Sequence, residues 1–330
     1  MRIAAIGLVL SLLGISAVTA QQSYTLPAAL GFEYQRLNNC GPVTAKMALS
    51  LLGIRVTQAA AAEALKGSYL DRNVTTPELA SYLEARGLKT VRRWSVTPAL
   101  VRRLVRASFP VILHQQQTVT SDIGHFRVAY GYDSSGLVFG DSMFGPRLRL
   151  TDRQFEAVSK PFNGEYLIAY RAPQSEALRA ILSADWEKPR NLERLEALSR
   201  ARIKIASGDA YAWWGLGQSL LYRDAARAAA NAFTKANSLG LPAKFYWYQH
   251  DALDAWNRAG QYAQTMKVAA AALKAYPNSF DLNTFYAHAL ERQKQFKSAL
   301  SAWRSALIED PRSSEARAAI ARLSQKVETV

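Results

Sequence analysis

The chain has 330 residues, of which 49% are hydrophobic and 20% charged, and a formal net charge of +15. That apolar content excludes a disordered chain, the length suggests two domains, and a single cysteine excludes a disulfide framework. A charge of +15, or +14 without Arg2, points to anionic partners such as cell-surface polymers or acidic substrates; the basic residues are scattered, with no RNA-binding signature, which argues against nucleic acid.

In chain order, Met1-Arg2 precede an apolar run from Ile3 to about Val18 and the small residues of Val18-Thr19-Ala20. This is the order of a signal peptide over 1–20, cleaved so that the mature chain begins near Gln21. No later segment has the length and apolarity to span a bilayer, and no cysteine follows closely enough for lipid attachment, so the expectation is a secreted or periplasmic protein with no membrane span after cleavage. Gly41-Pro42 opens helical spacing at Val43, Met47, Ala48 and Leu51, which Gly53 closes. Further helices are expected from Thr76-Pro77-Glu78 to Gly87 and from Pro98 to about Ala107. Strands are expected at Thr90–Val96, Phe109–Gln116, His125–Tyr132, Leu137–Asp141, Arg147–Leu150 and Tyr166–Arg171, with a capped helix at Asp152–Val158. Helices followed by a mostly antiparallel sheet make an α+β domain over 21–174, closed at Pro173-Gln174-Ser175.

From 175 to 330 the text is helical. Pro277 and Pro311 stand 34 residues apart, each preceded at fixed offsets by an alanine (Ala272, Ala306) and an aromatic (Tyr262, Phe296). An earlier block, Trp213, Leu216, Gly217, Ala229, Phe233 and Ala236, resembles the tetratricopeptide repeat. The clearest units fall at about 210–243, 246–279 and 280–313, and a further helix pair is expected between Ser175 and Ser207.

Cys40 stands at a helix start, where the positive end of the helix dipole lowers a thiol pKa; His125 opens a strand from which it can face that thiol. The segments Tyr34-Gln35-Arg36-Leu37-Asn38-Asn39-Cys40-Gly41-Pro42 and Gly124-His125-Phe126-Arg127-Val128-Ala129-Tyr130, with Phe139-Gly140-Asp141-Ser142, resemble the papain-like cysteine peptidases related to those that trim double-glycine leader peptides. The resemblance covers about 30–172. It implies a catalytic Cys40 nucleophile, a His125 base, Asp141 orienting the imidazole, and Gln35 in the oxyanion hole. Asp133 is the rival to Asp141, but its Asp-Ser-Ser-Gly turn explains an aspartate by itself. Gln35 stands five residues before Cys40 where the family spacing is six, leaving Asn38 or Asn39 as alternative donors, and Ser142 stands where the family commonly has proline. His114 reads as a strand residue, and His250 and His288 fall within the repeats; no spacing supports a metal.

The expected function is cleavage of a peptide or isopeptide bond through an acyl-thioenzyme, without cofactor, with the repeats holding a protein partner or substrate. The same triad could pass its acyl group to an amine, and an idle papain-like domain with partner-binding repeats is the reading from outside enzymology.

Overall fold

The computed structural model describes residues 23–328; the signal peptide expected over 1–20 lies outside the described residues. In chain order the first half contains β1 (Tyr24–Thr25), α1 (Cys40–Leu51), α2 (Gln58–Leu65), α3 (Thr76–Glu84), β2 (Lys89–Arg93), α4 (Pro98–Arg106), β3 (Val111–Gln116), β4 (Gly124–Asp133), β5 (Gly136–Asp141), β6 (Gly145–Leu150), α5 (Asp152–Ser159) and β7 (Tyr166–Tyr170). The strands pair antiparallel in the order β2-β7-β3-β4-β5-β6, and β1 pairs with the far end of β4. This is the α+β order read from the sequence.

Local chemistry sets the boundaries. Thr75 with Glu78 and Thr151 with Gln154 form capping boxes that start α3 and α5, and Thr97 caps α4 ahead of Pro98. Gly53 and Gly87, at φ 78° and 79°, take the left-handed conformation that ends α1 and α3. The strand expected over Thr90–Val96 stops at Arg93. Beyond it the Trp94 backbone bonds Asn191 twice, N–H to Oδ1 at 2.9 Å and carbonyl from Nδ2 at 3.0 Å, so it has no ladder groups left. Helix α2 was not anticipated. Thr57 caps it, but its alanine-rich sequence buries only Gln58, Ala61 and Leu65 and carries no broad apolar stripe.

The second half is helical throughout its described residues: α6 (Ser175–Leu182), α7 (Lys188–Ile205), α8 (Ala210–Leu221), α9 (Ala226–Ser238), α10 (Asp251–Arg258), α11 (Tyr262–Leu273), α12 (Phe280–Arg292), α13 (Phe296–Glu309) and α14 (Ser314–Glu328). Small residues receive large ones between paired helices. A Cβ at Gly217 of α8 would lie 2.6 Å from the Phe233 ring of α9. Trp214, Trp256 and Trp303 are fully buried, as are Ala229, Ala236 and Ala306.

The halves share buried residues. Leu178 and Leu182 of α6 belong to the same apolar core as the sheet, with Ile181 and Trp186 packed against it. Trp94 is covered by Leu192 and Leu195 of α7, and the Tyr222 ring packs against it, tilted by 32°, at 5.0 Å between centroids. Farther along, Tyr276 accepts the Arg72 guanidinium on its ring face at 4.5 Å, and Arg312 donates to the carbonyls of Glu63 and Lys66.

Two outcomes follow from this packing. A chain ended at residue 174 loses two leucines that stabilise by about 2 kcal/mol each and uncovers Trp94, so its thermal midpoint should fall below that of a chain ended after α7. Equal midpoints would show that α6 and α7 lie outside the cooperative core. Gly217→Ala should cost about 1–3 kcal/mol in denaturant unfolding by forcing Phe233 aside.

Candidate active site

Helix α1 lies across β4, and its first turn is fastened there: Thr44 donates to the Phe126 carbonyl at 3.0 Å, and Cys40 also bonds the Phe126 backbone. Gly41 lets the helix start press on Val74, since a Cβ there would lie 2.9 Å from that side chain. The N-cap residue Asn39 offers no side-chain oxygen to the helix. Its amide instead bridges Gln58 at 3.1 Å and the Lys66 ammonium at 3.2 Å, all three residues being buried. The positive end of α1 is therefore left to the Cys40 sulfur, to which Gly41 N–H is bonded.

His125 begins the inward face of β4, paired in register with Gln115, while Val128 opposite Gly140 sets Asp141 beside Arg127. The imidazole Nε2 lies 3.1 Å from Asp141 Oδ1, which leaves Nδ1 for the Cys40 thiol, to which His125 is hydrogen-bonded. Burial opposes charge on all three groups. Burial raises the Cys40 pKa, but the hydrogen bond and charge of His125, with the backbone bonds, outweigh it and hold the thiol below its ordinary value. Burial lowers His125, yet its bonds to Asp141 and Cys40 leave it raised. Both shifts favour a thiolate–imidazolium pair over the neutral thiol and imidazole.

Asp141 is the most heavily bonded group here. Besides His125 it accepts from Arg127 Nε at 2.8 Å and from the backbone N–H groups of Met143 and Phe144 at 2.8 and 3.0 Å. Burial would raise its pKa, but His125, Arg127 and the Met143 amide hold it far below the carboxylate range. Arg127 is itself fully buried, donating to Gln115 Oε1 and to the Gln116 and Gln117 carbonyls. Asp133, the rival, sits in the β4–β5 turn bound to Ser135 N–H and Arg149, with no contact to His125. Gln35 is tied to Ser142 twice: its N–H donates to the Ser142 carbonyl at 3.0 Å, and its Oε1 accepts from Ser142 Oγ at 2.7 Å. Its Nε2 has no partner among the described residues, and the side chain lines the same cavity as Cys40 and His125. Asn39, an alternative donor, is turned away into the Gln58–Lys66 network; Asn38 lines the cavity on left-handed backbone at φ 59°.

His114 is buried beside Phe126 and Phe162, with Nδ1 3.2 Å from Glu165, and faces away from the thiol. His250 and His288 pair with Asp281 and Glu315 within the repeats. No group of three or more His, Cys, Asp or Glu among the described residues could hold a metal ion. Sequence reasoning missed Arg127, although its place two residues after His125 on a strand put it on the same face. It also missed the Asn39–Gln58–Lys66 network, whose members are distant in sequence and carried no local signal.

Because Arg127 shares Asp141 with His125, Asp141→Asn should leave a buried guanidinium without its anion and cost about 3–5 kcal/mol in denaturant unfolding. Asp133→Asn, at an exposed turn, should stay within about 0.5 kcal/mol of wild type. The reverse ranking would move the structural and chemical weight to Asp133.

The model described as the Peptidase_C39 like family matches residues 18–165, and a tetratricopeptide repeat model matches residues 258–323. No curated protein matches the chain. Solved structures similar to it include a C39-like peptidase from Bacillus anthracis, 14% identical, covering 44% of this chain and 97% of that one at a TM-score of 0.39. A double glycine motif protease from an AMS/PCAT transporter, in complex with the leader peptide, is 17% identical over 45% of this chain and 94% of its own, at a TM-score of 0.35. The tetratricopeptide-repeat protein YrrB is 18% identical over 42% of this chain and 70% of its own, at 0.38. By these matches the N-terminal region is similar to the Peptidase_C39 like family, and the helical region that follows carries tetratricopeptide repeats.

Proposed function

We propose that the protein is an exported cysteine peptidase that cleaves a peptide bond through an acyl-thioenzyme, with the chemistry in 21–174 and substrate or partner recruitment in 175–330. The observation that carries this reading is the hydrogen-bonded chain from Cys40 through His125 to Asp141, opening on a cavity of about 410 Å³ in a domain matched to a peptidase family. The Cys40 thiolate attacks the carbonyl carbon, and the oxyanion is received by the Cys40 N–H and Gln35 Nε2. Collapse breaks the C–N bond, and the leaving amine takes the proton from His125. Water then gives one of its own protons to the neutral His125 as it attacks the thioester, and collapse breaks the C–S bond, releasing the acid and restoring the thiolate and the protonated imidazole. No cofactor enters these steps. Export rests on the signal-like order of residues 1–20, and the net charge of +15 favours encounter with anionic surfaces or acidic substrates.

Cys40→Ala and His125→Ala should each lower cleavage of a peptide pool, followed by mass spectrometry, by about three orders of magnitude or more, without additivity in the double variant. Retention of near-wild-type cleavage by either sinks the assignment. The pair forms as pH rises through the lowered Cys40 pKa and is lost as pH rises through the raised His125 pKa. The kcat/KM profile should therefore be a bell whose acid limb lies below the range of a free thiol and whose alkaline limb lies above that of a free imidazole.

A further inference from the structure

The cavity beside Cys40 is not built by the peptidase half alone. Tyr248, from the segment between α9 and α10, lines it together with Gln35, Cys40, Gly124 and His125. Its ring lies flat enough against the start of β4 that a Cβ at Gly124 would come within 2.7 Å of it, and its edge meets His114 at 6.4 Å between centroids. The segment is anchored on both sides. Lys244 pairs with Asp122 in the β3–β4 loop at 3.1 Å, and Arg72 lies over the rings of Trp247 and Tyr276 at 5.9 and 4.5 Å while its N–H donates to Tyr276 at 2.8 Å. Arg72 itself lines the cavity.

The Tyr248 hydroxyl makes no hydrogen bond to any described residue. It is not sealed in, as the unpartnered phenols of Tyr82 and Tyr166 are, so it is a free donor on the cavity wall. Burial, with the Cys40 and Asp122 charges, holds its pKa well above the ordinary phenol value against the opposing Arg72 charge, so it stays a donor. A peptide entering the cleft brings backbone carbonyls that lose water there, and an open O–H donor beside the nucleophile is the partner such a group needs.

We infer that Tyr248 is a substrate-contacting residue: the repeat half completes the peptidase cleft, and this phenol donates to a backbone carbonyl of the peptide beside the scissile bond. The inference rests on the peptidase reading above and deepens it, since the repeats then act within the cleft as well as at a distance from it. Tyr248→Phe keeps the ring against Gly124 and removes only the hydroxyl.

The test compares two thiol reagents on the full chain. Iodoacetamide reaches Cys40 without peptide contacts; N-acetyl-glycylglycyl chloromethyl ketone forms the Sγ–CH2 bond with loss of chloride, faster where its carbonyls dock beside the thiol. Tyr248→Phe should lower the rate constant for the peptidyl reagent by about three- to ten-fold, the share of one neutral hydrogen bond, and leave iodoacetamide labelling unchanged. Tyr248→Ala should lower it at least as far. Equal rates for wild type and Tyr248→Phe with the peptidyl reagent overturn the donor role while leaving the peptidase reading intact. A wild-type Cys40 that shows no preference for the peptidyl reagent over iodoacetamide overturns both.

Discussion

The arrangement depends on one buried carboxylate. Asp141 has no solvent contact and would be costly as an anion unless every lone pair met a donor, and here it meets an imidazole, a guanidinium and two backbone N–H groups. Its negative charge favours the protonated form of His125 against burial, and a protonated imidazole in turn favours the Cys40 thiolate. Arg127 spreads the burden. By bonding both Asp141 and the carbonyls at the end of β3, it locks the two strands on either side of β4 into one register, so the charge network and the sheet geometry sustain each other.

The loop before Cys40 is held by a second polar set of different character. Gln58 accepts from Arg36 N–H and donates to the Tyr34 carbonyl, while Ser142 holds Gln35 from the β5 side. A short connection that would otherwise fray is thus pinned at consecutive residues, and the Gln35 amide is left with its nitrogen toward the cavity. Ser142 does this at the position where the resembled family commonly has proline, which has neither a hydroxyl nor an N–H to offer. A departure in sequence is compensated locally by a contact that the departure makes possible.

Much of the fold was legible because its signals are local. The capping box at Thr151, the prolines in the first turns of α3 and α4, and the glycines that end α1 and α3 are read from neighbours along the chain, and the structure follows them closely. Cys40 and His125 were legible as a helix start and a strand start, whereas Asp141 came from the resemblance to the papain-like peptidases, and the structure sets it beside His125. What escaped was whatever depends on distant partners. The strand at Thr90 was read too long because Asn191, almost a hundred residues later, takes the Trp94 backbone. Helix α2 escaped because alanine contributes propensity without a stripe. Tyr248 gave no signal in sequence, since only the folding of the repeats back over β4 brings it to Gly124. The same long-range packing makes the junction near residue 174 a place where chain text changes but the buried core continues into α6.

The central claim is that Cys40 and His125 exist as an ion pair sustained by Asp141, and the most direct measurement is the ultraviolet absorbance of the thiolate. Titrating the full chain against its Cys40→Ser variant isolates the signal of this one sulfur. The expected result is a thiolate that forms below the ordinary cysteine pKa of about 8.5 and that His125→Ala returns to or above that value. A thiolate that appears only at or above the ordinary value in the wild-type protein would contradict it.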